Sequence, residues 1–341
     1  MRKSVLLLAV VAALAFCSVH AFAAESFFQG KTMRILVGSA PGGGYDAYSR
    51  VLARHWGRYI PGNPTIIVEN VLGAGGLVLA NNLYKVAKPD GLTVGKFNGG
   101  FFFGQAAGQS GIEFDARKFV FIGAVVSEDT VVYFTKASGI TSLEKWRNAK
   151  TPPKLGGDSP GAFAPDGVIR VLQAALGLPL QLVSGYKGQG PIRLAMESGE
   201  LAGTSASWYS VRLARREAFA KGDMIVVLQN IPKPFPDLPN VPVAYNEAKT
   251  DEGRQLIDVF MHGNRVYARP FVLPPGVPAD RVETLRKAFM ETMKDKEFVA
   301  ETDKAELVVN PITGPDLEKA VAGIFKTDPA VLAKLKQILY K

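Results

Sequence analysis

Twice in succession an apolar stretch of strand composition runs into a cluster of glycines and then into an amphipathic helix. Residues 33–38 lead into Pro41-Gly42-Gly43-Gly44 and a helix predicted over 45–59. Residues 65–69 lead into Gly73-Ala74-Gly75-Gly76 and a helix predicted over 76–86. Repeated strand–turn–helix units build parallel sheets covered by helices. A third strand is predicted over 92–97. A second series follows, with strands over 154–157, 180–184, 201–205 and 224–229 and helices from about 166, 191 and 208. Between the series, FVFIGAVV (119–126) and TVVYFT (130–135) stand back to back. Their junction at Ser127-Glu128 reads as a first crossing between domains. Residues 264–272 read as a further strand, and the tail beyond about 280 as helical.

The 341 residues suit about two domains at ~150 residues each. A hydrophobic share of 47% and a charged share of 21% exclude intrinsic disorder. The first residues are set apart: Arg2 and Lys3, an apolar run over 5–16, then Ala21-Phe22-Ala23 with small residues where a signal peptidase cuts. Residues 1–23 are therefore expected to be a cleaved secretory signal peptide. A lipid anchor on Cys17 is disfavoured by the bulky Phe16 before it. Cleavage removes the only cysteine, and with it disulfides, thiol nucleophiles and thiolate metal ligands. The expected compartment is the periplasm. The formal charge of +9, less the two charges of Arg2 and Lys3, favours anionic partners. No basic run with interleaved aromatics points to nucleic acid. The Arg212, Arg215 and Arg216 cluster reads as a solvated helix face, and Glu128-Asp129 as a solvated or capping pair.

Glycines at helix starts let backbone amides approach a ligand, and those amides carry a partial positive charge. Two such turns on neighbouring parallel strands share one crevice. Neither fits the dinucleotide fingerprint, because no third glycine follows at the required spacing. Asp46 and Arg50 read as an i, i+4 ion pair. Gly157-Asp158-Ser159-Pro160-Gly161 matches the G-x-S-x-G nucleophile elbow. The oxyanion hole needs the N–H of the residue after the serine, and Pro160 has none. Ser159 is thus read as a turn hydroxyl facing a ligand, with a serine hydrolase kept as an alternative. No metal or other cofactor is expected, since histidines are scarce and carboxylates do not cluster at ligand spacing. Among the aromatics at predicted strand ends and loops (101–103, Phe163, Tyr186 and Trp208), Tyr186 is the best candidate for ligand contact.

The segments APGGGYDAYSR (40–50), VENVLGAGG (68–76), KPDGLTVG (88–95), GYKGQGPIRLAMESGEL (185–201) and LPPGVPADRVETL (273–285) resemble, in order, the periplasmic receptors of tripartite tricarboxylate transporters, the Bug family. The resemblance implies an α/β, two-domain periplasmic-binding-protein fold, a type II-like Venus flytrap with two crossover strands. Its domains would be 24–127 with 243–341, and 128–242. It implies a monomeric, non-enzymatic receptor that captures a small organic carboxylate between the domains and delivers it to membrane permease subunits. A receptor reporting to a membrane kinase is an alternative. Carried onto this chain, the first-domain site is Ser39, Gly43, Gly44, Tyr45, Ala74 and Gly75. The second-domain side is Ser159, Ala162, Tyr186 and Ser205. After Gly161 the family commonly has serine and, a few residues on, histidine. This chain has Ala162, Phe163 and Ala164, then Asp166. The expected ligand therefore has one anionic end and a less polar other end, with Phe163 as an apolar wall.

Overall fold

The computed structural model describes residues 27–158, 162–186 and 188–340. The expected signal peptide and Ser159 lie outside the described residues. The strands that bear on the site are β1 (Thr32–Val37), β2 (Thr65–Asn70), β3 (Thr93–Lys96), β4 (Val120–Ala124), β5 (Thr130–Thr135), β6 (Lys154–Gly156), β7 (Gln181–Val183), β8 (Gly203–Ser207), β9 (Met224–Gln229) and β10 (Phe271–Leu273). The helices that bear on the site are α1 (Gly44–Trp56), α2 (Leu77–Lys85), α3 (Val168–Leu176), α4 (Gln189–Glu197), α5 (Trp208–Ala214) and α6 (Ala279–Thr292). The chain packs as two compact units. The first takes the described residues up to Phe97, then Lys118–Gly123 and Phe271–Glu301; the second takes Asn98–Arg117, Ala124–Pro270 and the described residues from Thr302 on.

In the first unit the sheet order is β4-β10-β3-β1-β2. β1 is parallel to both β2 and β3, and β10 runs antiparallel to β3 and β4. β1 buries Met33, Ile35 and Val37, the period-2 face of its sequence. α1 buries Tyr48, Val51, Leu52, His55 and Trp56, a stripe at i, i+3, i+4, i+7 and i+8. Trp56 meets Phe289 of α6 edge-on at 5.8 Å.

In the second unit the order is β7-β6-β8-β5-β9, with β6 parallel to β7 and β8, and β5 antiparallel to β8 and β9. Val131 and Tyr133 of β5 pack with Ile192 and Met196 of α4 and with Trp208 and Val211 of α5. Arg215 is no solvated residue: it is 7% exposed, its Nη1 lies 3.5 Å from the Met224 sulfur, and its guanidinium covers the Tyr133 ring at 5.3 Å. Its long stem follows the apolar surface of the core. Glu128 and Asp129 are likewise not solvated. Arg265 grips Asp129 with two bonds of 2.5 and 3.0 Å, and Arg269 donates to Glu128.

The expected strand over 264–272 divides. Gly263–Tyr267 is helical and only Phe271–Leu273 is strand. Asn264 Nδ2 donates to the carbonyl of Phe260, four residues back (2.7 Å), and Tyr267 is fully buried against Phe102. Tertiary packing overrides the β-propensity of Val266 and Tyr267, and Pro270 forces extended backbone at the residue before it. Phe101, Phe102 and Phe103, read as strand end or loop, lie in a buried helix, Gly100–Ala106. No helix among the described residues is long and apolar enough to cross a membrane.

Candidate functional site

In the first unit β1 and β2 end side by side, with Val37 opposite Asn70. The glycine loops that follow are pressed together. A Cβ on Gly38 would stand 2.8 Å from Gly76 Cα, and one on Gly76 would stand 2.9 Å from the Gly38 carbonyl oxygen. The two loops therefore form one continuous backbone surface at the carboxyl ends of two parallel strands. Ser39, Gly43, Gly44 and Tyr45 lie on one side of it, Ala74 and Gly75 on the other. The start of α1 is capped by no side chain, and neither is that of α2. Helix starts leave N–H groups without intrahelical partners and carry the positive end of the helix dipole. In the second loop Gly73, Ala74, Gly75 and Gly76 have φ of 140°, 45°, 66° and 98°. Ala74 is thus held in the left-handed region, a conformation that costs an alanine energy and recurs at ligand sites. Successive amides in such turns make anion-binding concavities. The Ser39 hydroxyl is shut off from solvent and makes no hydrogen bond.

What holds the first loop is Asp46, only 3% exposed. Its carboxylate accepts from Gly42 N (2.9 Å), Arg50 Nε (2.9 Å) and Asn70 Nδ2 (3.0 Å). Asn70 Nδ2 also donates to the Ser39 carbonyl at 2.8 Å. The expected Asp46–Arg50 pair is present, and it fastens the loop to the end of β2. Burial pushes the Asp46 pKa up, but the bonds from Arg50, Gly42 and Asn70 outweigh it and the net shift is downward. Glu301, bonded by Arg54 and His55, is also lowered. Asp295 is lowered too: burial opposes the shift, and bonds from Tyr59 and the Phe298 amide overcome it. Arg58 donates to both Asp295 and Glu297 beside His55, so this histidine–carboxylate group is a salt-bridge cluster. Carboxylates lowered by folding bind fewer protons folded than unfolded. Their contribution is present above the ordinary carboxylate range, near pH 4, and is lost as pH falls through the folded values. The melting temperature should therefore drop steeply on acidification from about pH 5 to 3, as followed by circular dichroism.

The second unit repeats the plan. Gly157 follows β6 and bonds Val183 O of β7 (2.9 Å), while Gly185 N and Tyr186 N donate back to Asp158 O and Gly157 O. Asp166, fully buried, accepts from Asp158 N at 2.6 Å and from the Ser184 hydroxyl. It lies 2.5 Å from where a Cβ on Gly157 would stand. Asp166 is a clasp for this loop, as Asp46 is for the first. Ala162 precedes the helical turn Phe163–Gly167, and the Phe163 ring is buried against Phe260 at 5.5 Å. β8 packs on that turn. Ser205 of β8 is fully buried, and its hydroxyl makes no hydrogen bond. Tyr186 donates its hydroxyl to Glu200 at 2.6 Å, a bond that, with burial, pushes its pKa up to about 12. The structure thus brings Ala162, Phe163 and Ser205 to one region and engages the Tyr186 hydroxyl elsewhere.

Sequence reasoning missed Lys96, the last residue of β3, which is 1% exposed beside the first loop. A lysine ending an otherwise uncharged strand, Thr93-Val94-Gly95, was the available signal.

No family model matches the chain. No curated protein matches it. Solved structures do. A TctC solute-binding protein from Polaromonas superposes with a TM-score of 0.66 at 16% identity, over 90% of this chain and 97% of that one. MatC from Rhodopseudomonas palustris, with bound malate, gives 0.66 at 18% identity over 90% and 99%. The periplasmic binding protein BugD gives 0.67 at 20% identity over 90% and 97%. Two α/β units, each with its own mixed sheet, and near-complete coverage of these receptors establish that the chain has the two-domain fold of periplasmic solute-binding proteins.

Proposed function

We propose that this chain is a periplasmic solute receptor that captures a small organic carboxylate and hands it to the membrane permease of a tripartite tricarboxylate transporter. The observation that supports the reading is the close approach of Gly38 and Gly76, which sets the start of α1, without a side-chain cap, beside the glycine turn that leads into α2, a backbone surface suited to an anion. A comparable loop lies at the ends of β6 and β7, and a chain of the same fold has malate bound. Binding would close two lobes, 24–127 with 243–341 against 128–242, on the ligand, which stabilises the closed state by its preference for it. The buried Asp166 carboxylate disfavours a second anionic group on its side, and the buried aromatic pair Phe163–Phe260 favours a less polar ligand end. The chain would be exported by the segment 1–23 and would act as a monomer without enzymatic activity. For a hydrolase, Ser159 would need a base. His262 is bonded to Asp258 and packed against Tyr245, and His55 is bonded to Glu301 and Arg58.

A thermal-shift panel of small mono-, di- and tricarboxylates tests this. A ligand at a hundred times its Kd stabilises by about 2.7 kcal/mol, a readily measured rise. No shift with any acid, or tight binding of citrate-like tricarboxylates alone, would refute the reading. The orphaned hydroxyls sharpen it. Ser39→Ala and Ser205→Ala remove groups that bond nothing within the protein, so unliganded stability should hold. Affinity by calorimetry should fall about tenfold in Ser39→Ala, the worth of one hydrogen bond to a charged group, and less in Ser205→Ala, which faces the uncharged end of the ligand.

A further inference from the structure

We infer that Gln189 is a specificity-determining residue of the second half-site: together with the Ser205 hydroxyl it reads a hydroxyl group on the uncharged end of the ligand, so the receptor prefers hydroxy acids to their deoxy counterparts. The inference rests on the receptor reading above and adds to it a residue and a ligand class.

Position is the first argument. β8 runs parallel to β6 with Thr204 opposite Gly156, and the Thr204 hydroxyl donates to the Gly156 carbonyl at 2.7 Å. Ser205 therefore stands level with Gly157, where the loop clasped by Asp166 begins. Gln189 reaches the same point from the loop after β7. Gly188 turns the chain there with φ of 90°, and Gln189 follows as the first residue of α4. Its Nε2 donates to the Ser205 carbonyl at 3.3 Å. The carboxyl ends of parallel strands are where α/β sheets receive ligands.

The second argument is what these groups leave unpaired. A main-chain carbonyl only accepts, so the Gln189 amide must turn its NH2 toward Ser205 and its oxygen away. That oxygen, Oε1, is shut off from solvent and accepts no hydrogen bond from the described residues. The Ser205 hydroxyl is fully buried and makes none either. Two orphaned oxygens thus meet at one place in the fold, since the residue whose carbonyl holds the amide also carries the hydroxyl. Buried polar groups are paired in nearly all native structures, and leaving one unpaired is costly. The Tyr133 hydroxyl is buried and unpaired too, but it lies within the apolar core. Gln189 and Ser205 lie where strands hand over to loops.

The third argument is the match of donors and acceptors. Gln189 Oε1 only accepts, and the Ser205 hydroxyl can donate. A ligand hydroxyl has one proton to give to Oε1 and lone pairs to take the Ser205 proton, so it satisfies both. An ionised carboxylate has no proton for Oε1. An ammonium has three N–H groups to place and a charge that one neutral acceptor does not match. Asp166, the buried carboxylate of this loop, is already occupied by Asp158 N and the Ser184 hydroxyl.

The experiment uses the mature protein and calorimetric titration with matched pairs: 3-hydroxybutyrate with butyrate, 6-hydroxyhexanoate with hexanoate, 4-hydroxybenzoate with benzoate, and malate with succinate. Wild type should bind at least one hydroxy acid ten times or more as tightly as its deoxy partner, because without the hydroxyl the buried oxygens stay unpaired. In Gln189→Met, affinity for that hydroxy acid should fall about tenfold, while its deoxy partner changes by less than about threefold. The wild-type preference is a test that needs no variant. Binding of acids by wild type with no preference in any pair would overturn the hydroxyl-reading role and leave the receptor reading standing. So would an unchanged preference in Gln189→Met, or equal losses for both members of a pair. Failure of wild type to bind any acid would overturn both.

Discussion

Gly76→Ala should destabilise the protein by about 3 kcal/mol and weaken binding of any small acid by at least tenfold. Two costs add. Gly76 has φ of +98°, and an L-residue forced into left-handed backbone costs roughly 1–2 kcal/mol. Its new Cβ would also stand 2.9 Å from the Gly38 carbonyl oxygen, a main-chain atom that cannot rotate away. Overpacking of this kind costs roughly 1–3 kcal/mol. Relief requires the two loops to part, and the amides that line them then no longer converge. Gly38→Ala, at ordinary φ but 2.8 Å from Gly76 Cα, isolates the steric share. Chemical denaturation and titration on both variants check this. Gly177→Ala serves as control, because it has a similar positive φ of +63° with open space about its Cβ; it should show the backbone cost alone and unchanged affinity. If Gly76→Ala behaved like Gly177→Ala, the loops would not be a shared ligand surface.

The glycine loops were legible in sequence because their physics is local. Strand composition, a positive-φ turn and an apolar helical stripe such as 48, 51, 52, 55 and 56 lie within one stretch of chain, and neighbouring parallel strands then place the turns together. Side-chain partners that arrive from distant sequence were not legible. Arg215 read as part of a solvated helix face, and only Tyr133, Met196 and Met224 folding over it bury it; Lys96 drew no reading, and Phe271 covers it. Asp129 read as solvated until Arg265 covered it. The helix Gly263–Tyr267 carries a strand-like composition, and its conformation follows from burying Tyr267. Asp46 was read as half of an ion pair. That Asn70 and the Gly42 amide share it could be seen only once the end of β2 stood beside the loop.

Asp166 was the residue whose sequence reading stayed open, as an acceptor or a helix cap in place of a family histidine, and it makes the second large prediction. Asp166→Ala should cost about 2 kcal/mol, because it takes a fully buried carboxylate away from the half-buried Asp158 amide, at roughly 1–3 kcal/mol per unsatisfied group, while the Ser184 hydroxyl, on an exposed residue, can turn to water. Placing a histidine there, as in the receptors the sequence resembles, should not help. Asp166→His puts a larger ring where the carboxylate already stands 2.5 Å from the space a Cβ of Gly157 would take. One imidazole nitrogen at most can accept, so one of the two donors stays unpaired. We expect Asp166→His to be nearly as unstable as Asp166→Ala in urea denaturation, and to gain no affinity for dicarboxylates. Asp46→Ala is the matched test in the first unit: it orphans Gly42 N and one of the two N–H bonds of Asn70 Nδ2, whose other bond to the Ser39 carbonyl remains, and leaves Arg50 without its carboxylate, so its cost should be similar. A parallel loss in the two variants would show that both binding loops are pinned the same way, by a buried aspartate accepting a main-chain amide from the loop before its helix. A stable Asp166→His with tighter dicarboxylate binding would instead make this position a ligand contact, with the chain's preference for a single anionic end set there by the loss of a donor.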